Sequence, residues 1–502
     1  MKEHFTVASN NIFSENEFFE GYFTVENGII THVARGKLPE DLNTNIIDCK
    51  DNIVMPSLID THAFFSGYAI REYGIDISQC NNNEDLIKIL EKYKNNSVII
   101  ARNIRDDLKV DFSYIESKLG NNISILLFNW DKEIAYVNEK AKKEFSFDGT
   151  DFSSESMCKI IEHVLNDKEW TKKEFIKYMQ LLNSRGVTAS KEMVFDDSYG
   201  LSEILNELDK ENKLNVRIFM MSQAVAEDFD LSVSEVIGNN IDSDNLKFDG
   251  FNQMVDGSVS VEEADMLSPY ENGDTCQIEI DYKKLEKDAI EADSAGYRFS
   301  LHGQGDKAVH NIINIFDKCQ KDDSGKLINR HAITDLEVAD PEDYIRMSNL
   351  GIHAEIYPQI LSIYEDSTEK IELTNERVGN RSKDYWNRRK MKDSGVNICC
   401  ATDLPLVITD IGASIYHACF GRFNDGKEFN TNNCLTIKEL LESWTLSGAK
   451  NLGISEKQGK IENGYRADFV VLNMPFEEIS PENSRDLKVT QTYKDGLCVF
   501  SN

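Results

Sequence analysis

The chain has 502 residues, of which 40% are hydrophobic and 10% aromatic, a composition typical of a folded protein rather than a disordered one. This length exceeds that of one ordinary domain and leaves room for two modules. The 87 acidic and 55 basic residues give a formal net charge of −32, which disfavours nucleic acids and anionic membrane surfaces as partners.

The sequence carries no apparent targeting or membrane segment. No apolar run approaches the roughly 18 residues of a membrane span, and the first residues lack a signal-peptide pattern. The 10 cysteines are scattered without a C-x-x-C pair, a distribution typical of reduced thiols. These features predict a cytoplasmic protein with neither nucleic-acid nor membrane partners.

Both ends of the chain are rich in short β-runs separated by turns. In the N-terminal part, two such runs flank Asn27-Gly28, a strong signal for a β-hairpin. The C-terminal part has the same texture, with an apolar run at 469–472. We therefore expect residues 1–57 and 447–502 to form one β-sandwich domain from both termini.

Between these ends, apolar runs alternate with helical patterns, as repeated βαβ units do. We expect eight strands, at residues 56–62, 186–190, 216–221, 251–257, 297–302, 331–335, 351–356 and 396–403. Eight strands separated by helices predict an α/β fold, a (β/α)₈ TIM barrel over residues 58–446, with an inserted α/β subdomain at about 70–150.

Four polar residues close predicted strands: His62, His302, Asp335 and Asp403. Functional groups of such barrels lie at the carboxyl-terminal ends of the strands. Imidazoles and carboxylates that converge there offer the donor atoms of a zinc or manganese site. Asp403, on the last strand, is also a candidate general base that accepts the proton of a metal-bound water.

Several segments match a known family. Residues 55–62, MPSLIDTH, are similar to its "PGFIDxHxH" entry strand, and residues 459–472 to its closing "GSLExGKxADLVVLD" motif. Shorter matches lie at 131–138, 256–258, 301–309, 330–335 and 402–405. On these motifs the chain resembles the amidohydrolase superfamily, specifically its N-substituted formamide deformylase-like branch (amidohydrolase family 3), over nearly its whole length.

The resemblance implies a TIM barrel joined to a β-sandwich made from both termini. It also implies hydrolysis of a C–N bond other than a peptide bond, in a small-molecule substrate. Carried over residue by residue, His62, His302 and Asp403 would be metal ligands, Asp335 a substitute ligand, and Asp403 the catalytic base. Barrels of this family are often oligomers, so a homo-oligomer is a further expectation.

The chain departs from the family pattern at four positions. Phe64 stands where the second histidine of the H-x-H pair belongs, and Asn252 where a metal-bridging lysine is expected. Asp335 and Glu133 each replace a histidine. Phenylalanine cannot ligate a metal and asparagine cannot be carbamylated, so we expect a degenerate site with at most one divalent ion, zinc by preference.

Three functions are open at this point. The first is a one-metal hydrolase that cleaves a non-peptide amide. The second is an inactive relative that binds a ligand without hydrolysis, and the third is metal-free chemistry in which Lys191, Glu192 or Asp335 supplies acid and base. For Lys191-Glu192 the preferred interpretation is a surface ion pair rather than a buried pair. The metal content of the purified protein separates the first function from the others.

Overall fold

The computed structural model describes residues 4–40, 44–130, 132–150, 152–195, 198–225, 228–238, 241 and 243–502. The first three residues of the predicted terminal domain and Asp131 of the 131–138 motif therefore lie outside the described residues. Within the described residues the chain forms twenty β-strands and sixteen α-helices.

The strands fall into four groups along the chain. The N-terminal strands are β1 (His4–Ser14), β2 (Glu17–Glu26), β3 (Ile29–Arg35), β4 (Asn45–Asp48) and β5 (Ile53–Pro56). The first barrel strand, β6 (Leu58–Ala63), precedes the inserted strands β7 (Ile75–Asp76), β8 (Val98–Arg102), β9 (Ser124–Asn129) and β10 (Ile134–Val137). The other barrel strands are β11 (Val187–Phe195), β12 (Arg217–Gln223), β13 (Leu246–Met254), β14 (Arg298–Gly303), β15 (Ala332–Asp335), β16 (His353–Ile356) and β17 (Asn397–Cys400). The C-terminal strands are β18 (Phe469–Leu472), β19 (Val489–Lys494) and β20 (Leu497–Ser501).

Helices connect the barrel strands and surround them. They are α1 (Phe65–Glu72), α2 (Asn83–Leu90), α3 (Phe112–Leu119), α4 (Glu139–Glu144), α5 (Ser154–Leu165), α6 (Lys168–Ser184), α7 (Leu201–Lys210), α8 (Ser232–Gly238), α9 (Tyr282–Ser294), α10 (Asp306–Phe316), α11 (Pro341–Leu350), α12 (Ser367–Val378), α13 (Arg388–Asp393), α14 (Ile411–Phe420), α15 (Ile437–Trp444) and α16 (Leu446–Asn451). None of the helices in the described parts of the chain has the length and apolar character needed to cross a membrane.

The two termini share one sheet, in the order β20-β19-β18-β5-β1-β2-β3, with β4 paired to β1. The N- and C-terminal parts join where β18 pairs antiparallel with β5, which places Val470 opposite Met55. Phe469 and Tyr493 stack at a ring-centroid distance of 4.3 Å in the buried face of this sheet. The predicted sheet from both termini is therefore confirmed, while the domain boundaries at 57 and 447 stay a prediction.

The barrel contains all eight predicted strands, in the order β6-β11-β12-β13-β14-β15-β16-β17, and neighbouring strands run parallel. Its last and first strands approach each other through two backbone hydrogen bonds. The Asp403 N–H donates to the His62 carbonyl at 2.8 Å, and the Phe64 N–H donates to the Leu404 carbonyl at 2.8 Å. The prediction of a TIM barrel is confirmed, and this nearly closed seam brings two of the predicted site residues together.

The seam is fixed by close packing outside the barrel. All six residues of β6 are buried, as expected for a parallel strand covered on both faces. On its outer side α16 approaches so closely that a Cβ at Gly448 would lie 2.9 Å from the Ile59 Cβ. The strand that carries His62 therefore has little freedom to shift.

The inserted strands form a separate four-stranded sheet, in the order β10-β9-β8-β7. Apolar side chains from β8, β9, α2 and α3 pack into a core of their own, which includes Leu86, Ile99, Ile115 and Leu127. The insertion thus brings its own hydrophobic cluster to the region between β6 and β11.

Candidate active site

The four predicted ligands meet at one end of the barrel, and we call them the mouth cluster. His62 lies on β6, His302 on β14, Asp335 ends β15 and Asp403 follows β17. These are the carboxyl-terminal ends of the strands, where functional groups of TIM barrels are positioned. The two histidines are buried.

The side chains of the mouth cluster approach one another in pairs. The His62 Nε2 atom lies 3.6 Å from Asp403 Oδ1. The His62 and His302 rings lie with their centroids 4.7 Å apart at an interplanar angle of 71°. Asp335 is hydrogen-bonded through Oδ2 to His302 Nδ1 at 3.0 Å. The structure therefore brings all four residues together, although Asp335 reaches a histidine ring rather than a shared centre.

The contact between Asp335 and His302 fixes the orientation of the histidine. A carboxylate that accepts the Nδ1–H of an imidazole leaves Nε2 with its lone pair available for a metal ion. Although burial opposes the charged form, the hydrogen bond and the charges of Asp335 and Asp403 raise the pKa of His302. In this arrangement Asp335 orients the His302 ring through Oδ2, while its role as a metal ligand stays a prediction.

Three ring nitrogens of the mouth cluster have no hydrogen-bond partner among the described residues. They are His62 Nδ1, His62 Nε2 and His302 Nε2, and all three are buried. Burying a polar atom without a partner is costly, so such atoms call for a bound group. Burial and the nearby charges of His302 and Lys191 hold the pKa of His62 well below its usual value, which keeps it in the neutral form that binds metals.

The mouth cluster fits a metal ion in donor type but is not drawn tightly together. Within the part of the chain that the structure describes, no three of its ligand atoms lie within 4.8 Å of one another. Coordination by three residues would therefore require small side-chain movements toward a common point. The donor set itself, two imidazoles and a carboxylate, is one that suits zinc.

The backbone at both carboxylates is in the left-handed region. Asp335 has a φ of 77°, Leu336 follows with 56°, and Asp403 has 51°. Such a conformation costs of order 1–3 kcal/mol at a residue other than glycine and persists only where the surroundings impose it. The strained strand ends direct these carboxylates toward the barrel mouth.

Burial and the charges of Asp335 and Asp60 raise the pKa of Asp403 to about 7, while His302 opposes the shift.

Asp60 itself accepts the Thr402 hydroxyl at 2.6 Å and the backbone N–H groups of His62 and Thr402 at 3.2 Å. It therefore acts as a brace between the first and last barrel strands. Its position in the entry motif is explained by this structural role.

A second group of charged residues, which we call the ionic cluster, crosses the barrel interior. Lys191 on β11 forms an ion pair with Glu355 on β16 and donates to Ser300 Oγ at 3.0 Å. Glu355 also accepts from Arg298 at 3.2 Å, Asn451 at 2.8 Å and Thr334 at 2.9 Å. Lys191, Glu355 and the Arg298 side chain are completely buried. Although burial opposes it, Lys191 and Arg298 lower the pKa of Glu355 and keep the carboxylate charged.

The preferred interpretation of Lys191-Glu192 as a surface ion pair is wrong. Both side chains are fully buried and they have different partners. Glu192 points between β11 and the helices, where it accepts from the Tyr178 hydroxyl at 2.9 Å and the Phe65 N–H at 3.0 Å. Neighbouring residues of a strand point to opposite faces of the sheet, so Lys191 and Glu192 cannot pair with each other once β11 forms. The two adjacent charges in the sequence do not show this by themselves.

Sequence reasoning also missed Glu355. It stands in the apolar run Ile352–Ile356, and a charged residue in the middle of a buried strand was a usable signal. The carboxylate binds to residues more than fifty positions away, including Lys191 and Asn451. Its partners therefore could not be read from local sequence.

Two further motif positions are structural. Asp256 accepts the backbone N–H groups of Gln304 at 2.8 Å, and of Gly305 and Asp265 at 2.9 Å, and so ties together the loops after β13 and β14. Asn252, at the position of the expected lysine, donates to Gln223 Oε1 at 2.7 Å. Asn252 is thus held to a neighbouring strand through its amide nitrogen, while its Oδ1 has no hydrogen-bond partner among the described residues.

A cleft with two lobes opens at the mouth cluster. The larger lobe, of about 520 Å³, is lined by His302, Asp335, Asp403 and a wall that includes Tyr357 and Trp386. The smaller lobe has a volume of about 330 Å³. The two share three lining residues, Phe64, Asp403 and Leu406. Phe64 therefore forms a wall of both lobes, with its ring centroid 5.2 Å from that of His62.

One other group has the residue types of a metal site. Asp293, Cys319 and His331 place their ligand atoms within 4.8 Å of one another. His331 uses both nitrogens, however, because Nε2 is bonded to Asp293 at 2.9 Å and Nδ1 accepts the Phe299 N–H at 2.9 Å. This group is a hydrogen-bonded brace outside the cleft.

Known proteins resemble this chain along most of its length. Residues 153–500 match the amidohydrolase family. The N-substituted formamide deformylase of Arthrobacter pascens is 24% identical over 219 residues, which cover 42% of this chain and 38% of that protein. The imidazolonepropionase of Thermoplasma acidophilum is 29% identical over 143 residues, which cover 28% of this chain and 32% of that protein. The matched stretches thus span well under half the length of either relative.

A solved structure shares the fold. An uncharacterized metal-dependent hydrolase from Pyrococcus horikoshii superimposes with a TM-score of 0.74 at 17% sequence identity. The superposition covers 96% of this chain and 99% of that protein. The barrel and the sheet made from both termini are therefore an arrangement found in nature with a very different sequence.

Proposed function

The chain belongs to the amidohydrolase family, and we propose that it is a metal-dependent hydrolase that cleaves a C–N bond in a small, non-peptide amide. The observation that carries this proposal is the set of buried ring nitrogens on His62 and His302 that lack hydrogen-bond partners among the described residues beside Asp403. The formamide deformylase among its relatives supports the choice of an amide. A cytoplasmic setting and a homo-oligomer remain predictions.

We propose that His62, His302 and Asp403 hold one divalent ion, with zinc the preferred metal. When bound, such an ion supplies Lewis-acid activation of a carbonyl group and of water. Asp335 holds the Nδ1–H of His302 and so keeps Nε2 directed into the site. A second ion has no support from Phe64, which cannot coordinate, or from Asn252, which cannot be carbamylated to bridge two ions.

The chain's own residues would perform the proton transfers. Asp403 borders both lobes of the cleft, so a substrate that spans the lobes passes this carboxylate. It accepts a proton from the attacking water and returns one to the departing nitrogen, so that the amide C–N bond is exchanged for a C–O bond. The ionic cluster takes no part in these transfers, because Glu355 is held by four hydrogen-bond donors.

Ligand binding without hydrolysis is the second candidate. It is favoured by one observation, namely that no three ligand atoms of the mouth cluster lie within 4.8 Å of one another in the described chain. A barrel of this kind would retain the cleft but bind no ion. The two candidates differ in whether the protein binds a metal ion, which is simple to measure.

Zinc content and hydrolysis test the proposal together. Protein purified without added metal, and protein stripped with a chelator and reloaded with zinc, would be assayed against a panel of N-formyl and N-acetyl amines. We expect about one zinc ion per chain and an activity that is lost on stripping and restored by zinc. Asp403→Ala should abolish hydrolysis. A wild type that binds no zinc, and an Asp403→Ala variant that behaves like it, would favour ligand binding instead.

A further inference from the structure

The smaller lobe of the cleft is walled by aromatic rings that stack in pairs. Phe64 and Phe195 stack at a centroid distance of 5.5 Å and an angle of 22°. Trp130 and Phe152 stack at 5.2 Å and 16°. All four side chains line the lobe. Four aromatic side chains in two stacked pairs therefore border one space of about 330 Å³.

The rest of the lobe is also largely apolar. Ile70 of α1, Met157 and Ile161 of α5, and Pro405 after β17 complete its lining. Among the residues that the structure describes, the charged ones that line it are Arg71, Glu133 and Asp403. Because Asp403 also borders the larger lobe, the apolar space opens directly onto the proposed catalytic carboxylate. Pockets of this composition favour an apolar ligand whose orientation is fixed by a few polar groups.

Close packing keeps the lobe in shape. Gly67 of α1 lies so near the loop after β17 that an added Cβ would stand 3.0 Å from Pro405 Cδ. Glu133 has a left-handed backbone with a φ of 53°, a conformation uncommon outside glycine and held by its surroundings. The walls thus come from several distant segments that are held in contact, which favours a preformed site over a chance gap.

Phe64 links this lobe to the altered metal site. It stands at the position where the H-x-H pattern would place a second metal-binding histidine. In the structure its ring packs edge-on to His62 and face-on to Phe195. The same substitution therefore removes a ligand and builds one wall of the apolar lobe.

We propose that the smaller lobe is a subsite for a flat apolar group of the substrate, an aryl ring above all, and that the bond to be cleaved lies beside Asp403 at the junction of the lobes. This proposal rests on the proposed hydrolase function for its last part only. The occupation of the lobe by an aryl ring is independent of turnover.

Binding of simple amides tests the subsite without requiring catalysis. The probe is 4-fluorobenzamide, observed by fluorine NMR with the full chain, and the competitors are benzamide and acetamide, which share the amide but differ in the ring. We expect benzamide to displace the probe and acetamide to displace it at least about tenfold less effectively, because only benzamide buries a ring. Equal competition by the two amides would overturn the proposal.

Two matched variants locate the probe. Met157→Trp adds an indole ring to the smaller lobe, whereas Ile363→Trp adds the same ring to the larger lobe, where Ile363 is 37% exposed. We expect the probe to bind at least about tenfold more weakly to Met157→Trp and within about twofold of wild type to Ile363→Trp. Unchanged binding to Met157→Trp would overturn the proposal. If circular dichroism shows that Met157→Trp is unfolded, Phe152→Ala replaces it, with the same expected loss.

Hydrolysis assays separate this proposal from the function on which it partly rests. Ring-dependent binding without hydrolysis of any amide would support the subsite and contradict the hydrolase. Equal kcat/KM for N-formylbenzylamine and N-formylmethylamine would contradict the subsite and leave the hydrolase in place. A kcat/KM for the benzyl compound that exceeds the methyl one at least about tenfold, and that falls in Met157→Trp, would support both.

Discussion

The mouth cluster and the ionic cluster occupy the same barrel interior but differ in how their polar atoms are satisfied. In the ionic cluster Glu355 accepts hydrogen bonds from Lys191, Arg298, Asn451 and Thr334. In the mouth cluster both nitrogens of His62 lack a partner among the described residues. Burial alone thus does not identify a functional residue. Arg298 of the ionic cluster also has a buried Nε without a partner among the described residues, so what distinguishes the mouth cluster is that both nitrogens of one imidazole are unpartnered beside a carboxylate.

The largest effect on stability is expected in the ionic cluster. Glu355→Ala leaves Lys191 buried without a carboxylate partner and Arg298 with Asp249 alone, which should lower the free energy of unfolding by about 3–5 kcal/mol. His62→Gln, which breaks no side-chain hydrogen bond, is the matched control and should cost about 1 kcal/mol. Urea unfolding measures both. Equal losses in the two variants would remove the distinction between the clusters.

The next-largest effect is expected on zinc affinity, when Asp335, which orients His302, is changed. Asp335→Asn keeps the size of the side chain but weakens its hydrogen bond to His302 Nδ1, so zinc affinity should fall about 10–100-fold. The unfolding free energy should change little. Zinc affinity would be measured by competition with a chelator of known strength. A loss of stability with no change in zinc affinity would make Asp335 a purely structural residue.

Placing a histidine at position 64, where the family pattern has one, should raise the zinc affinity. Phe64→His places an imidazole beside His62, at a position already held against the cleft, and zinc affinity should rise about tenfold. The same change removes one wall of the smaller lobe, so 4-fluorobenzamide should bind more weakly. Phe64→Leu is the control, because it also removes the ring but adds no ligand. A similar zinc affinity for Phe64→His and Phe64→Leu would contradict the placement of the ion.

The smallest effect on stability is expected at the ion pair between Arg389 of α13 and Glu439 of α15, outside the barrel strands. Although burial opposes the shift, hydrogen bonds from Arg389 and Thr436 lower the pKa of Glu439 from 4.5 to about 2. A carboxylate with a lowered pKa stabilises the fold above its unfolded pKa and loses this contribution as the pH falls toward its folded pKa. Glu439→Gln should therefore cost about 1 kcal/mol at pH 7, and less as the pH falls from 4.5 toward 2. Thermal unfolding at several pH values measures the cost of Glu439→Gln, with Glu207→Gln as an exposed control. A cost that does not change with pH would contradict the prediction.

The fold was largely predictable from sequence because its signals are local. Each barrel strand is an apolar run between helical patterns, and Asn27-Gly28 forms the turn between β2 and β3. That His62, His302, Asp335 and Asp403 meet at the barrel mouth could be predicted in the same way, since each lies at or just after the end of such a run, whereas their roles stay a prediction.

The finer chemistry of the site depends on contacts that no local pattern contains. The pairing of Lys191 with Glu355 joins positions 164 residues apart. The hydrogen bond between Asp335 and His302, which changes Asp335 from a predicted ligand to a positioning residue in our proposal, spans two strands. Trp130 reaches the cleft from the inserted sheet, far from the predicted strand ends. Such pairings become visible only when the barrel closes.

Zinc titration of the stripped wild type, followed by mass spectrometry under native conditions, tests the central claim most directly. In our proposal His62, His302 and Asp403 hold the ion, and a second ion lacks the histidine and the lysine that Phe64 and Asn252 replace. We predict about one tightly bound zinc ion per chain, and loss of that ion in His62→Gln while Glu355→Gln retains it. No bound zinc in the wild type, or two ions at full occupancy, would contradict this account of the barrel mouth.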